Sequence, residues 1–180
     1  MNLRTFLPPA RVAAAPPPEP GEPARELPLE GAPRPAVVSF LRHTGCPFAE
    51  ATMRALRETE AEGVELVAVS HAPADATDAW CDAVGGADGV SVAIDEDRST
   101  YAAWGLGRSS LAHFMGLRSL REVTRLARRG IRNRHPDGTR WQRAGTFAID
   151  GEGTVRWRHL PAHAGDLPDL DQAVRAARGD

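Results

Sequence analysis

At 180 residues, 42% of them hydrophobic, the chain is long enough for one domain with its own core and too short for two comfortable ones. A formal net charge of −2 argues for neither a nucleic-acid binder nor an acidic scaffold, and two cysteines are too few for a disulfide-stapled secreted module. All 22 basic residues are arginine, which with the abundant Ala, Gly and Pro reads as the coding bias of a GC-rich genome.

The N-terminal stretch MNLRTFLPPARVAAAPPPEP carries one early Arg, but prolines interrupt it before an apolar run reaches secretory length. No stretch approaches the roughly 20 apolar residues of a membrane span, so a cytoplasmic, reducing location is expected. Ten of the 15 prolines lie at or before Pro35. Residues 1–30 are therefore expected to be a Pro-rich flexible arm, and 31–180 the folded domain.

Ala36–Leu41 is a short apolar, β-rich run and reads as a buried strand. Residues 47–62 begin with Pro47, carry Phe48, Met53 and Leu56, and meet Gly63, the pattern of a helix with Pro in its first turn and Gly past its end. Val64–Ser70 reads as a second strand, Asp75–Val84 as a helix, Val90–Ile94 as a third strand, and Ser99–Trp104 as a short helix. This alternation implies right-handed crossovers and a parallel sheet. Thr146–Ile149 and Thr154–Arg158 around Asp150–Gly153 read as a hairpin, and Leu167–Ala177 as a closing amphipathic helix. The fold class expected is α/β and thioredoxin-like, a central mixed sheet with helices on both faces.

Between the two halves lies a basic insertion, residues 108–143, with ten arginines against only Glu122 and Asp137. Leu117, Leu120, Val123, Ala127 and Ile131 fall on one helical face. A phosphate, an anionic membrane or RNA would suit the arginines. Aromatic residues do not alternate with the arginines as a stacking platform requires, so the favoured reading docks the apolar face on the body and leaves a solvated charged face.

The strongest local signal is Leu41-Arg42-His43-Thr44-Gly45-Cys46-Pro47-Phe48-Ala49. A strand runs into a Gly turn, and a cysteine then stands where a helix begins. Unpaired N–H groups and the positive end of the helix dipole favour a thiolate there, and comparable cysteines have pKa values lowered from about 8.5 to roughly 3.5–7.5. The alternative is a small buried hydrophobe; the strand-to-helix placement favours reactivity.

The stretch VVSFLRHTGCPFAE resembles the active-site region of the peroxiredoxin-like branch of the alkyl hydroperoxide reductase and thiol-specific antioxidant superfamily. Ser99–Arg108 is similar to the family's segment after its third strand. Ala144–Arg156, with His159 and Ala164–Pro168, is similar to its closing hairpin and last helix. The resemblance implies reduction of hydroperoxides, or thiol–disulfide exchange, by Cys46, with no metal or organic cofactor. It implies Thr44 and Arg143 as supporting catalytic residues. The family's polarising arginine lies just before the hairpin strand, one residue from Arg143, and the usual Pro and Thr before the cysteine are Ser39 and His43 here.

Relatives with C-x-x-C carry a second cysteine where this chain has Ala49, so a local disulfide is ruled out. Cys81 is the remaining candidate for a resolving thiol, although a packed core position suits its helix better, and an external thiol is the expected reductant. His43 neighbours Cys46 and either tunes it or caps the strand, while His71 reads as structural and the four tryptophans as packing residues. The expected partners are a hydroperoxide or disulfide substrate and an external thiol reductant, with no nucleic acid and no membrane span; a homodimer stays open. The alternative function is a non-catalytic redoxin-fold module that binds a partner or senses oxidant.

Overall fold

Five strands and the helices between them follow from the alternation read above. The structure, a computed structural model, describes residues 12–29, 31, 35–110, 117–135 and 139–180, with the side chains of 117–120 outside that description. The elements are β1 (Ala36–Phe40), α1 (Pro47–Glu58), β2 (Glu65–Ser70), α2 (Ala74–Ala83), β3 (Ser91–Ile94), α3 (Ser99–Ala103), α4 (Leu117–Arg128), β4 (Gly145–Ile149), β5 (Val155–His159) and α5 (Leu170–Arg178). The sheet order is β3-β2-β1-β4-β5. The first three strands run parallel, and β4 joins β1 and β5 antiparallel.

Strand alternation sorts the core into two layers. Val37, Leu66, Ala68 and Ala148 face α1, α2 and α5, whereas Val38, Phe40, Val67, Val69 and Phe147 face α3 with Tyr101, Trp104 and Leu106. Phe40, Tyr101, Trp104 and Phe147 make edge or tilted ring contacts with centroids 4.8–6.0 Å apart. This aromatic cluster fixes the layer beneath the C-terminal end of β1.

The second layer is closed by a segment expected to be mobile. Residues 12–29 lie along the body instead of standing off from it. Gly21 and Ala24 N–H groups donate to Val155 and Gly153 carbonyls at 2.8 Å, Val155 N–H returns a bond to Glu22, and Trp104 Nε1 donates to Glu26 O at 3.0 Å. Ala24, Leu27 and Leu29 pack on the aromatic layer. The physical reason is that α3 is too short to cover that face alone, so proline-rich chain, already extended, fills the gap at low entropic cost. Gly105, at φ +77°, lets the segment pass: a Cβ there would lie 2.3 Å from Pro17 N.

Element ends differ modestly from expectation. α1 stops at Glu58 because Thr59 turns extended and its hydroxyl donates back to Ala55 O at 2.7 Å. Leu167 precedes α5 and is 40% exposed, the helix being capped by Asp169, whose Oδ1 accepts the Gln172 N–H. On α4 and just beyond it, Val123 and Ile131 pack on the core as expected, while Leu126 is buried in place of Ala127, which is exposed. Arg121, Arg125, Arg128, Arg129 and Arg132 point outward, and the expected side chains of Leu117 and Leu120 lie outside the described residues.

Candidate active site

The loop from Leu41 to Cys46 joins β1 to α1, and three groups from beneath fix its path. Leu41 N–H donates to Val69 O at 2.9 Å, and the Tyr101 hydroxyl lies 2.7 Å from both Leu41 O and Val69 O. His71 Nε2 meets Arg42 O. Burial, reinforced by the neighbouring His43, lowers the His71 pKa to about 4, so the ring is neutral at pH 7. A carbonyl only accepts, hence Nε2 carries the proton. Asp95, whose Oδ2 accepts the Tyr101 N–H at 2.9 Å, holds the start of α3 in turn.

Gly45 then turns at φ +81°, where a Cβ would lie 2.3 Å from His135 O, and its carbonyl accepts the Arg134 N–H at 2.9 Å. The stretch that follows α4 therefore rests directly on the loop. Cys46 occupies the N-cap position of α1 and is 3% exposed. Its sulfur makes no cap hydrogen bond to the first turn, and Pro47 has no N–H to offer. The donor that reaches Sγ is a guanidinium: Arg42 Nη1 at 3.7 Å, while Arg42 Nη2 donates to Arg140 O at 2.8 Å.

The Arg140 side chain adds a second cation within electrostatic range of the sulfur. Burial holds its pKa below the ordinary arginine range, Cys46 works the other way, and Arg42 lowers it again; it stays charged at neutral pH. One turn along α1, Glu50 is 1% exposed and held by Arg54 at 2.6 Å and Arg134 at 3.2 Å. A narrow cleft opens beside the loop, its wall including Arg42, Leu41, Phe48, Ala144, Pro161 and Leu167.

Thr44 is buried in the same loop, its carbonyl 2.8 Å from His43 Nδ1. Arg143 lies three residues on from Arg140, its backbone N–H donating to Gly107 O at 3.2 Å, and among the described contacts none joins its side chain to Cys46. Beside it, Gln142 is buried and its Nε2 donates to Leu106 O. Ser39, at the family's Pro place, lies within β1 and shares a 3.0 Å hydroxyl contact with Thr146 on β4. Cys81 is buried in the α2 core layer, where burial and then Asp78 and Asp82 push its thiol pKa up.

Arg42, Arg140 and Tyr101 are members that the sequence did not single out, while His71 holds the loop in the structural role expected of it. Arg42 stood inside the motif, four residues before Cys46, but no periodicity says that a loop side chain folds back. Among the described residues no helix is long and apolar enough to cross a membrane, and no His, Cys, Asp and Glu cluster suits a metal.

The family model described as AhpC/TSA antioxidant enzyme matches residues 52–163. That match starts within α1, so it identifies the family from the body of the fold and leaves Cys46 to the geometry. No curated protein sequence matches the chain. Its fold is similar to that of a peroxiredoxin-like protein from Aquifex aeolicus, with TM-score 0.65, 18% identity, and coverage of 91% of this chain and 88% of that one. It is also similar to the fold of a thiol peroxidase from Chromobacterium violaceum, with TM-score 0.59, 12% identity, and 90% and 87% covered.

Proposed function

Because the chain belongs to the AhpC/TSA antioxidant enzyme family, we propose that it reduces hydroperoxides or disulfides through a single nucleophilic cysteine, Cys46, and is turned over by an external thiol. The observation that carries this reading is the Arg42 guanidinium 3.7 Å from Cys46 Sγ. A cation at hydrogen-bond range favours a negatively charged sulfur, and charge-assisted contacts of this kind are the strong ones.

In the peroxide reaction the thiolate attacks the terminal oxygen of R–O–O–H and the O–O bond breaks. The sulfur is oxidised by two electrons to sulfenic acid, and the alkoxide leaves and takes a proton to become R–OH. Arg42 and Arg140 suit the stabilisation of charge developing on that leaving oxygen. His71 and Tyr101 act by holding the loop carbonyls at residues 42 and 41, which sets where the Arg42 guanidinium stands relative to the sulfur.

The resolving thiol comes from outside. Cys81 sits in the core layer with its pKa raised by burial and two aspartates, so it is a poor nucleophile, and Ala49 offers no sulfur. Both cysteines are free, which suits a reducing cytoplasm. In this reading Thr44 shapes the loop and Arg143 has no catalytic part.

The test is hydroperoxide consumption with cumene hydroperoxide and excess dithiothreitol. Cys46→Ser abolishes turnover and Cys81→Ser retains it. Equal turnover by Cys46→Ser and the parent protein would reject the assignment, and absence of turnover in the parent would favour a non-catalytic binding or sensing module.

A further inference from the structure

The arginine-rich insertion grips the chain on both sides of Cys46 through one residue. Arg134 N–H donates to Gly45 O at 2.9 Å, just before the cysteine. Its side-chain Nε donates to Glu50 Oε2 at 3.2 Å, one turn after it. Glu50 is 1% exposed, its Oε1 is held by Arg54 at 2.6 Å, and its backbone N–H donates to Cys46 O at 3.0 Å. The group beside the sulfur is held from the same insertion. Arg42 Nη2 donates to Arg140 O at 2.8 Å while Nη1 lies 3.7 Å from Sγ. A guanidinium is a rigid planar fork, so fixing one nitrogen fixes the other.

Resting on the reading of Cys46 as the catalytic nucleophile, we propose that Arg134 is a positioning residue for the peroxide reaction, setting the Cys46 sulfur against the Arg42 guanidinium. It acts through Glu50 and the Gly45 carbonyl and not on the reacting atoms. The insertion thereby holds both members of the pair: the sulfur through Arg134, and the guanidinium through the Arg140 carbonyl.

The stretch that carries Arg134 is anchored well enough for this role. Gly130, at φ +80°, ends α4, and the Ile131 N–H closes on Leu126 O at 3.0 Å. Leu126 and Ile131 are buried in the same apolar cluster as Cys46 and Phe48. Gly165 brings α4 close to the start of α1: a Cβ there would lie 2.7 Å from Glu122 Cβ and 3.0 Å from Phe48 Cε1. Arg134 follows three residues after Ile131, so its side chain reaches Glu50 from a fixed point. Alignment on this scale governs rate, since about 1 Å of misplacement can cost about 100-fold. The Arg134 side chain is 38% exposed, so its ion pair contributes only modestly to stability, and its main effect falls on the rate.

The experiment uses the reduced full chain and its Arg134→Met, Arg42→Met and doubly substituted forms. Each is mixed with hydrogen peroxide and quenched at intervals in denaturant with excess N-ethylmaleimide, and the remaining reduced Cys46 is quantified by peptide mass spectrometry. Arg134→Met should slow the peroxide reaction about tenfold when Arg42 is present. In the Arg42→Met background it should slow it by less than about twofold, because no guanidinium is left to align. Iodoacetamide has no leaving oxygen for Arg42 to stabilise, and it should label Cys46 of Arg134→Met at least as fast as in the parent. Should Arg134→Met lose cooperative urea unfolding, Arg134→Gln takes its place in the same cycle. An unchanged peroxide rate, equal slowing in both backgrounds, or equal slowing with both reagents would overturn this proposal and leave the catalytic reading intact. A parent Cys46 that does not react with peroxide would overturn both.

Discussion

Replacing Arg42 by Met removes the cation nearest Cys46 while keeping the length of the side chain. At 3.7 Å two unit charges attract by about 4.5 kcal/mol at an effective dielectric of about 20. The guanidinium charge is delocalised and Arg140 remains nearby, so the usable part is about 1.5–3 kcal/mol, the range for hydrogen bonds to charged groups. At about 1.4 kcal/mol per tenfold in rate, attack by the Cys46 sulfur should slow roughly 10- to 100-fold. The assay is alkylation by iodoacetamide at pH 7, with the Cys46 and Cys81 peptides quantified separately by mass spectrometry. The expected result is a Cys46 rate at least tenfold slower and an unchanged Cys81 rate. Arg42→Lys should fall between, because an ammonium cannot span Sγ and Arg140 O as the fork does. An unchanged or faster Cys46 rate in Arg42→Met would refute the electrostatic argument.

Three further outcomes follow from the packing. Glu50→Gln removes the buried partner of Arg54 and Arg134; because those side chains are 36% and 38% exposed, the cost should be about 1–2 kcal/mol in urea unfolding, below the 3–5 kcal/mol of a fully buried pair, and the loosened 131–135 segment should speed iodoacetamide labelling of Cys46. His71, held at a pKa of about 4, has its charged form disfavoured by folding. The unfolded chain therefore binds more protons between about pH 6.5 and pH 4, and stability is complete above that window and falls as pH drops through it, by up to about 3 kcal/mol; His71→Asn should flatten this part of the profile in denaturation at pH 7.5 and pH 4.5. Removing residues 1–30 should uncover the aromatic layer now covered by Ala24, Leu27 and Leu29, with a loss on the order of 3 kcal/mol and new binding of a hydrophobic dye; an unchanged melting temperature would show that the arm contributes nothing.

The strands and helices of the body were readable because each carries a local signal: β-branched runs at Ala36–Phe40 and Glu65–Ser70, Pro47 at the start of α1, the Asp-Gly turn before β5. What escaped was set by tertiary packing. The proline-rich segment has the composition of a tail, and only the shortness of α3 makes it a cover for the second layer. Cys46 was legible from its place between strand and helix. The source of its electrostatic support was not, since backbone amides were expected to meet the sulfur and a loop guanidinium does so instead. Arg140 belongs to an insertion whose apolar face, with Val123 and Ile131, was legible as docked, but its passage over Gly45, which sets its register on the loop, has no sequence period.

Of the two cysteine sulfurs, that of Cys46 is the one expected to react with peroxide. Treating the reduced full-length protein with one equivalent of cumene hydroperoxide in the presence of dimedone, followed by peptide mass spectrometry, reads this directly. A dimedone adduct on Cys46 with Cys81 unmodified is the expected result. A Cys46 peptide that stays reduced, or an adduct on Cys81 alone, would contradict it.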